Sequence, residues 1–485
     1  MSEKTEELRK VRIQKLEQLK QAGIDPYPVR SNRTHTVQDA VENFDSLSET
    51  KTQVILDGRI RSIRTHGKLT FGNLEDQSGS IQFLLRADAL GEESFKQFEL
   101  MDMGDFLEIA GNLTLSKTGE KTLEVSSYRL LAKSLRPLPM EHFGLKDLET
   151  RLRKRYLDLA INRETRDLFV KKSVFWKTIR QFLEAKGFME VEMNVLEQVP
   201  GGAEAEPFVT HHNALDRDFY LRISLELPLK KLIVGGFERV FEIGRIFRNE
   251  GISTEHLQDY MQMEFYWAYA EYEELMDMTR ELYQAIVQNV TGGLKTVYDN
   301  KEIDWSGEWP KVRYFDVFKE KTGLDLNSVS DDELRDYAKS EKIKIEKNQG
   351  RGRLIDLIYK KKVRPSLVKP CFLINPPVEI EPLAKKDPNN PKEVQRMQIL
   401  AGGTELGKGF TELNDPLDQR ERFEQQMKLR EKGDKEAQML DEDYVEAMEY
   451  GMPPTAGFGL SERLFAVIMD KSVRETVIFP PMKEE

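Results

Sequence analysis

Two runs of alternating side chains within residues 239–267 constrain the fold of this chain more than any other segment. Each run has the period of two that is typical of a β-strand, and a loop of about ten polar residues separates them. The apolar side chains of the second run share one face: Met261, Met263, Phe265 and Trp267. Its other face carries Tyr260, Glu264 and Tyr266. The pattern predicts a hairpin that buries the Met/Phe/Trp face and leaves the polar face open.

The open face of this hairpin carries groups that can bind a ligand. In the first run Glu242, Arg248 and Glu250 lie on one face, and the same register places them beside Tyr260 and Glu264. An arginine flanked by carboxylates and a tyrosine can hold an anionic, aromatic, amine-bearing ligand. ATP together with an amino acid fits this description.

Length and composition restrict the class of protein. A chain of 485 residues predicts two or more domains, and no apolar run reaches the eighteen or so residues of a membrane span. The charged start MSEKTEELRK predicts no signal peptide, and the single Cys371 excludes an internal disulfide, so a cytoplasmic location is expected. The scattered histidines form no zinc-type cluster, and a net charge of −11 provides no general attraction to nucleic acid.

The first part of the chain predicts a helix and then a small barrel. Residues 3–23 carry a narrow apolar stripe among basic residues, which fits a docking helix or, alternatively, a helix that touches RNA. Residues 52–132 contain five short strand patterns and one short helix, which favours a Greek-key barrel of the OB type. Phe71 and Phe83 are candidate platforms for stacked bases, although a lone strand phenylalanine also fits a core position.

The rest of the chain alternates helical and strand patterns. A linker carrying RLRKR at 151–155 precedes it, and the segment 296–365 differs enough in texture to predict an insertion subdomain. Residues 402–409, GGTELGKG, nearly spell a phosphate-binding loop, but Gly409 replaces the required Ser or Thr, so we reject that interpretation.

Seven motifs spread over nearly the whole chain carry a family resemblance. They are RYLDL (155–159), GFMEVE (187–192), PGGAEAEPFVTHHNALD (200–216), VGGFERVFEIGRIFRNEGIS (234–253), MEFYWAYAEY (263–272), GFTELNDPLDQRERF (409–423) and MPPTAGFGLSERL (452–464). Together they resemble the class II lysyl-tRNA synthetases of the bacterial and eukaryotic type.

This resemblance implies an α+β multidomain fold. An N-terminal helix (1–24) would precede an OB-fold anticodon-binding barrel (25–145) and a linker (146–164). A class II catalytic domain (165–485), built on a mostly antiparallel sheet flanked by helices, would contain the insertion at about 296–365. The implied activity is that of a lysine–tRNA ligase, which forms lysyl-adenylate and pyrophosphate from L-lysine and ATP and then transfers lysine to the 3′ end of tRNA(Lys). A homodimer and no membrane association are also implied.

The resemblance also assigns roles to residues. Arg248 and Arg463 match the catalytic arginines of motifs 2 and 3, on the α- and γ-phosphates. The ATP-binding residues implied are Arg248, Glu250, His256, Tyr260, Glu405 and Arg463. The residues implied for lysine are Glu226, Glu264, Tyr266, Lys408, Phe410 and Glu412, with Glu226 and Glu412 on the ε-ammonium. Glu405 is the implied Mg²⁺ ligand. Arg64, Phe71, Gln82 and Glu120 fall where the family reads the anticodon, which favours the stacking role for Phe71.

Several positions depart from the family pattern. Gln398 stands where a second magnesium-binding glutamate is usual, which weakens that metal site. Lys408 replaces an asparagine, and its charge would either repel lysine or pair with a nearby carboxylate. Asn194 replaces the motif 1 proline at the dimer interface, and Gly244 replaces an asparagine. Two alternatives therefore stay open beside the ligase: a catalytically altered paralogue that binds tRNA or lysylates another acceptor, and a nucleic-acid-binding protein whose α/β region is only structural.

Overall fold

Two compact units, residues 1–148 and 149–485, make up the computed structural model of this chain. The structure describes residues 3–139, 145–251, 257–345, 349–433 and 436–483. Within these ranges no helix is both long and apolar enough to cross a membrane.

The first unit is a five-stranded closed barrel with short helices around it, in the strand order β1-β2-β3-β5-β4. Its strands are β1 (Val54–His66), β2 (Leu69–Glu75), β3 (Ser80–Arg86), β4 (Phe106–Leu115) and β5 (Lys121–Ala132). Its helices are α1 (Glu3–Gln21), α2 (Val37–Glu42), α3 (Phe44–Glu49), α4 (Ala87–Leu90) and α5 (Glu92–Gln97). Inward-facing side chains alternate with outward-facing ones along each strand, as a filled barrel requires.

Helix α1 packs against its own unit, which supports the docking interpretation of the N-terminal segment. Leu16 and Leu19 are buried. The guanidinium of Arg12 donates to the carbonyl oxygens of Met103 at 2.9 Å and Ser134 at 3.0 Å. Lys15 pairs with Asp102 at 2.8 Å, so two of the basic side chains that an RNA-touching helix would present serve internal contacts.

The second unit is built on an eight-stranded sheet in the order β14-β15-β16-β17-β18-β11-β10-β6. Its pairs are antiparallel except β6–β10 and β14–β15, which confirms the predicted mostly antiparallel sheet of an α+β fold. The strands of the sheet are β6 (Met189–Glu190), β10 (Arg239–Phe247), β11 (Asp259–Ala268), β14 (Lys311–Arg313), β15 (Cys371–Ile374), β16 (Arg396–Ala401), β17 (Thr404–Thr411) and β18 (Thr455–Ser461). Two small sheets contain β7 (Leu196–Glu197), β8 (Val209–His212) and β9 (Arg217–Leu221), and β12 (Lys295–Tyr298) and β13 (Lys301–Asp304).

Helices cover this sheet and bury its apolar face. They are α6 (Leu148–Arg153), α7 (Arg155–Ile161), α8 (Arg163–Ala185), α9 (Glu226–Val234), α10 (Tyr272–Thr291), α11 (Tyr314–Thr322), α12 (Asp331–Ser340), α13 (Arg351–Ile358), α14 (Pro416–Glu431), α15 (Glu442–Glu449) and α16 (Arg463–Ile468). The main core joins α8 and α10 to the inner face of the hairpin, where Met263 and Phe265 are fully buried. The opposite face of β11 therefore remains open to a cavity.

The segment predicted as an insertion subdomain contributes to this same unit. Strand β14 pairs with β15 at the edge of the main sheet. The apolar side chains of α11, α12 and α13 share a core with Cys371, Leu373 and Leu400 of the sheet. The segment thus shares both sheet and core with the rest of its unit.

Candidate functional site

A cavity of about 760 Å³ lies over the open face of the eight-stranded sheet. It is lined by every residue predicted for ATP, lysine or metal that the structure describes: Arg248, Glu250, Tyr260, Glu405, Arg463, Glu226, Glu264, Tyr266, Lys408, Phe410, Glu412 and Gln398. His256 lies outside the described residues. Side chains that are up to 237 positions apart in the sequence, from Glu226 to Arg463, thus meet at one cavity.

Glu264 is the most firmly held carboxylate of this cavity. Strand alternation puts Gln262, Glu264 and Tyr266 on the same face of β11. Glu264 Oε1 accepts from Ser224 Oγ at 2.8 Å, from the Leu225 amide at 3.1 Å and from the Gln262 amide side chain. Its Oε2 accepts from the Tyr266 hydroxyl at 3.0 Å. These four donors fix the orientation of the carboxylate, and one side of Oε2 remains available to a further donor.

Glu226 and Glu412, the pair predicted to bind the ε-ammonium group of lysine, lie close enough together to share one ammonium group. Helix α9 begins at Glu226, and Glu412 follows the last residue of β17. The shared ammonium belongs to the protein, because Lys230 Nζ lies 2.5 Å from Glu226 Oε1 and contacts Glu412 Oε2. Lys230 is fully buried, and its Nζ lies 5.3 Å from the ring centroid of Phe410. Sequence reasoning missed this lysine.

Burial and mutual repulsion control the ionisation of this acidic cluster. Burial raises the pKa of Glu226 to about 7, although the charge of Lys230 opposes the shift. Burial likewise raises the pKa of Glu412 well above its usual range, again against the effect of Lys230. Burial favours the neutral amine of Lys230, but the carboxylates of Glu226 and Glu412 outweigh it and hold its pKa above the usual range. Lys230 is therefore charged at neutral pH. The carboxyl groups of Glu226 and Glu412 need further positive charge nearby to be fully ionised at that pH.

Arg248 and Arg463 form a cationic region beside the acidic cluster. Arg248 follows β10, its Nε donates to the Ile223 carbonyl oxygen at 3.2 Å, and its guanidinium carbon lies 5.7 Å from the centroid of the Tyr260 ring. Arg463 is the first residue of α16, as predicted from its place after β18. A planar guanidinium held at its base can present its outer N–H groups to a phosphate or a carboxylate.

Glu405 occupies the centre of a second charged cluster. Burial opposes its ionisation, but the charges of Arg396, Lys408 and Arg463 outweigh burial and hold its pKa below the usual value. Glu405 is therefore ionised at neutral pH, which suits a hard, oxygen-preferring cation. In the described residues no group of three or more His, Cys, Asp or Glu side chains is arranged to hold a metal ion.

Gln398 takes part in the same cluster as a neutral neighbour. Its Oε1 accepts from the Tyr359 hydroxyl at 2.9 Å, and its side chain hydrogen-bonds Glu405. With its oxygen occupied by Tyr359, the amide faces Glu405 as a donor and adds no second carboxylate.

Lys408 pairs with a carboxylate, which decides between the two alternatives that its sequence left open. Its Nζ lies 3.2 Å from Glu381 Oε2, and Arg396 lies 3.3 Å from the same oxygen. Lys408 still lines the cavity and is about half exposed, with 43% of its side chain accessible. Sequence reasoning missed both Glu381 and Arg396.

Gly244 leaves space for a buried ion pair below the site. A Cβ at this position would lie 2.2 Å from Arg222 Nη2. That guanidinium pairs with Glu242 at 2.7 Å and donates to the carbonyl oxygens of Arg245 and Met193. The glycine at this departure from the family pattern is therefore matched to Arg222.

The residues predicted to read an anticodon lie on the outside of the barrel in the first unit. Arg64 and Phe71 are directly opposite one another on β1 and β2. Gln82 Nε2 donates to Glu120 Oε2 at 2.8 Å. Phe71 is half-buried and thus partly accessible.

Phe83 is not a stacking platform, and this candidate assignment was wrong. Its side chain is fully buried and packs edge-on against Phe98 at 6.1 Å between centroids. It belongs to the barrel core.

Each of the two units matches a known protein family. The model of "tRNA synthetases class II (D, K and N)" matches residues 147–483, and that of "OB-fold nucleic acid binding domain" matches residues 54–131. The lysine–tRNA ligase of Carboxydothermus hydrogenoformans is 44% identical over 481 residues, covering 98% of both chains. That of Bacillus subtilis is 42% identical over 98% of this chain and 97% of its own. That of Staphylococcus epidermidis is 42% identical over the whole of both chains.

Proposed function

Because this chain belongs to the class II tRNA synthetases and acts as a lysine–tRNA ligase, we propose that its cavity divides into a lysine end, a nucleotide end and a metal position. The observation that carries this division is the separation of charge. Glu226, Glu264 and Glu412 form an acidic end, and the guanidinium groups of Arg248 and Arg463 face the same cavity.

The acidic end binds the two ammonium groups of L-lysine. Glu226 and Glu412 take the ε-ammonium, and the remaining side of Glu264 Oε2 takes the α-ammonium. Tyr266 and Phe410 enclose the methylene chain, since both are buried beside the carboxylates. A neutral side chain would leave a buried carboxylate unpaired, at a cost of several kcal/mol.

The cationic end binds ATP and aligns the reaction. Arg248 bridges the lysine carboxylate and the α-phosphate, Tyr260 stacks on adenine, and Glu250 receives the adenine amino group. Arg463 neutralises the γ-phosphate side, and His256 completes the proposed set over the phosphates. The carboxylate nucleophile is already ionised, so catalysis here consists of alignment and neutralisation of charge.

Glu405 would hold Mg²⁺, which neutralises phosphate charge when bound. Its low pKa keeps an ionised oxygen ligand available, and Mg²⁺ is commonly held by one or two carboxylates together with substrate phosphates. Gln398 would not supply a second carboxylate to this position.

The barrel binds the anticodon of tRNA(Lys) through Arg64, Phe71, Gln82 and Glu120, with Phe71 stacking on a base. We also propose a cytoplasmic homodimer. Sedimentation analysis tests the oligomeric state.

Lysine-dependent ATP–pyrophosphate exchange tests the proposed site, with Arg248→Ala as the decisive variant. We expect exchange to fall below detection, because Arg248 is the group that we propose to bridge the two reactants. Arg245→Ala is the matched control, since Arg245 lies near the end of β10, three positions before Arg248, is half exposed and pairs with Asp259, and neither Arg245 nor Asp259 lines the cavity. Normal exchange in Arg248→Ala would refute the assignment. Absence of exchange in the unaltered protein, with tRNA binding retained, would favour the altered paralogue.

A further inference from the structure

Lys230 places a protein ammonium group inside the acidic end of the cavity. Helix α9 carries it one turn after Glu226, and Nζ bridges Glu226 Oε1 and Glu412 Oε2. The side chain has no exposed surface, and its charged end lies 5.3 Å from the Phe410 ring and 5.8 Å from the Tyr266 ring. No part of Lys230 lines the cavity, so it contacts the carboxylates from behind.

The contact leaves one oxygen of Glu412 unused. Lys230 forms an ion pair with Oε2, and neither of the two buried oxygens has a hydrogen-bond partner among the described residues, so Oε1 has no such contact with Lys230. Gly457 lies beside that oxygen, since a Cβ there would be 2.2 Å from Oε1. Because glycine has no side chain, Oε1 can lie against Gly457 at the wall of the cavity, which Gly457 and Glu412 both line.

We propose that Lys230 sets the charge of the lysine subsite: its ammonium neutralises one of the three carboxylates Glu226, Glu264 and Glu412 and leaves two negative charges for the two ammonium groups of L-lysine. This inference rests on the proposed function. Lys230 is a specificity-determining and positioning residue, because it acts through Glu226 and Glu412 and touches no reacting atom.

The other groups that act on this cluster do not disturb the count at pH 7. Burial raises the pKa of Glu197, which interacts with Glu264, to about 8, so this carboxyl group is mostly neutral there. Tyr266 on β11 and Tyr444 on α15 are neutral, since burial raises the pKa of each phenol. Lys408 on β17 is paired with Glu381. Arg248 provides the positive charge that matches the substrate carboxylate. Each of the three charges of L-lysine, two ammonium groups and one carboxylate, is therefore matched by one opposite charge of the protein.

The pH dependence of kcat/KM for lysine in the exchange reaction tests this role, because it reports ionisation of the free enzyme. In the unaltered enzyme we expect an acid limb at or above pH 7, where Glu226 and Glu412 ionise as a coupled pair. Lys230→Met keeps a linear side chain and removes the cation that favours the ionised carboxylates. We expect its acid limb to move up by at least one pH unit, so kcat/KM at pH 7 falls about tenfold or more. The loss should be smaller at pH 9, and the KM for ATP should not change.

Lys231→Met is the matched control. Lys231 is the next residue of α9, contacts Asp441 and Asp443, and does not line the cavity. Its profile should match that of the unaltered enzyme. Lys230→Arg keeps the charge and should keep the position of the acid limb, even where its bulk lowers the rate.

Other results would count against the proposed role of Lys230 or against the proposed function. A Lys230→Met loss of equal size at all pH values, or an equal rise in the KM for ATP, would reduce Lys230 to a structural role. If Lys230→Met does not fold, calorimetry on the unaltered enzyme in two buffers of different ionisation enthalpy replaces it. Lysine binding should release protons increasingly from pH 9 to pH 6.5, and no release at pH 7 would overturn the charge count. Failure of the unaltered enzyme to catalyse lysine-dependent exchange would instead refute the proposed function.

Discussion

Glu412→Gln separates the charge of the lysine subsite from its shape. The amide has nearly the same volume as the carboxylate but removes the charge that faces both Lys230 and the proposed ε-ammonium position. Losing one partner of a buried charge pair costs about 2–5 kcal/mol, which corresponds to a fall of about 30- to 4,000-fold in kcat/KM for lysine. The KM for ATP should stay within about twofold of that of the unaltered enzyme, because Glu412 is proposed to contact L-lysine and not ATP.

The same substitution should not destabilise the fold. The folded protein raises the pKa of Glu412 well above its unfolded value, so ionisation of this group lowers native-state stability as the pH rises above that unfolded value. The neutral amide removes this penalty, and Glu226 still pairs with Lys230. We therefore expect Glu412→Gln to unfold at the same temperature as the unaltered protein at pH 8, or higher.

Exchange kinetics at varied lysine and ATP, together with thermal unfolding, check both expectations. Glu449→Gln on α15 is the control. Its carboxylate is exposed, so the substitution should change neither the exchange kinetics nor the unfolding temperature appreciably. A lysine kcat/KM within threefold of the unaltered enzyme would refute the assignment of Glu412. A marked fall in unfolding temperature would show instead that its charge supports the fold.

Three further substitutions test other parts of the molecule. Phe71→Ala should lower kcat/KM for tRNA charging by the equivalent of about 1–3 kcal/mol, the contribution of one stacked base, and should not change the rate of ATP–pyrophosphate exchange. Leu115→Ala, at an exposed position elsewhere on the barrel, should affect neither reaction. Equal losses in both assays would refute the anticodon role. Lys408→Asn should change the KM for lysine by less than about threefold, because Glu381 already pairs with the Lys408 ammonium group; a fall of about tenfold in that KM would show instead that Lys408 repels the substrate. Gly244→Ala should cost about 1–3 kcal/mol in chemical unfolding, since the new methyl group displaces the hydrogen-bonded Arg222; unchanged stability would show that Arg222 moves freely.

Local patterns predicted those parts of the site that a single strand determines. The alternation along β11 put Glu264 and Tyr266 on the open face and Met263 and Phe265 in the core, as the structure does. The same rule would have excluded Phe83 as a platform. Gln82 and Phe83 are consecutive residues of β3, so only one of them can face outward.

Features that depend on two distant segments were not predictable from local patterns. Lys230 and Lys231 are adjacent on α9, and only the i,i+4 spacing from Glu226 favours the first as its partner. Burial of Lys230 also requires Glu412, which arrives from β17 after 182 further positions. In the same way, Glu381 lies outside the strands that carry Lys408 and Arg396, so no strand pattern identifies it as their shared partner.

Two of the residues that depart from the family pattern are neighbours on adjacent strands of the sheet. Gln398 on β16 and Lys408 on β17 are directly opposite each other in the register. Relative to a glutamate and an asparagine, this cross-strand pair is more positive by two charges, and Glu381 compensates for one of them through Lys408. The remaining difference lies next to Glu405, whose pKa the neighbouring cations already hold low. The region of the cavity around Glu405 thus has more protein cations and fewer carboxylates than the family pattern implies, whereas Glu226, Glu264 and Glu412, the carboxylates proposed to bind lysine, match that pattern.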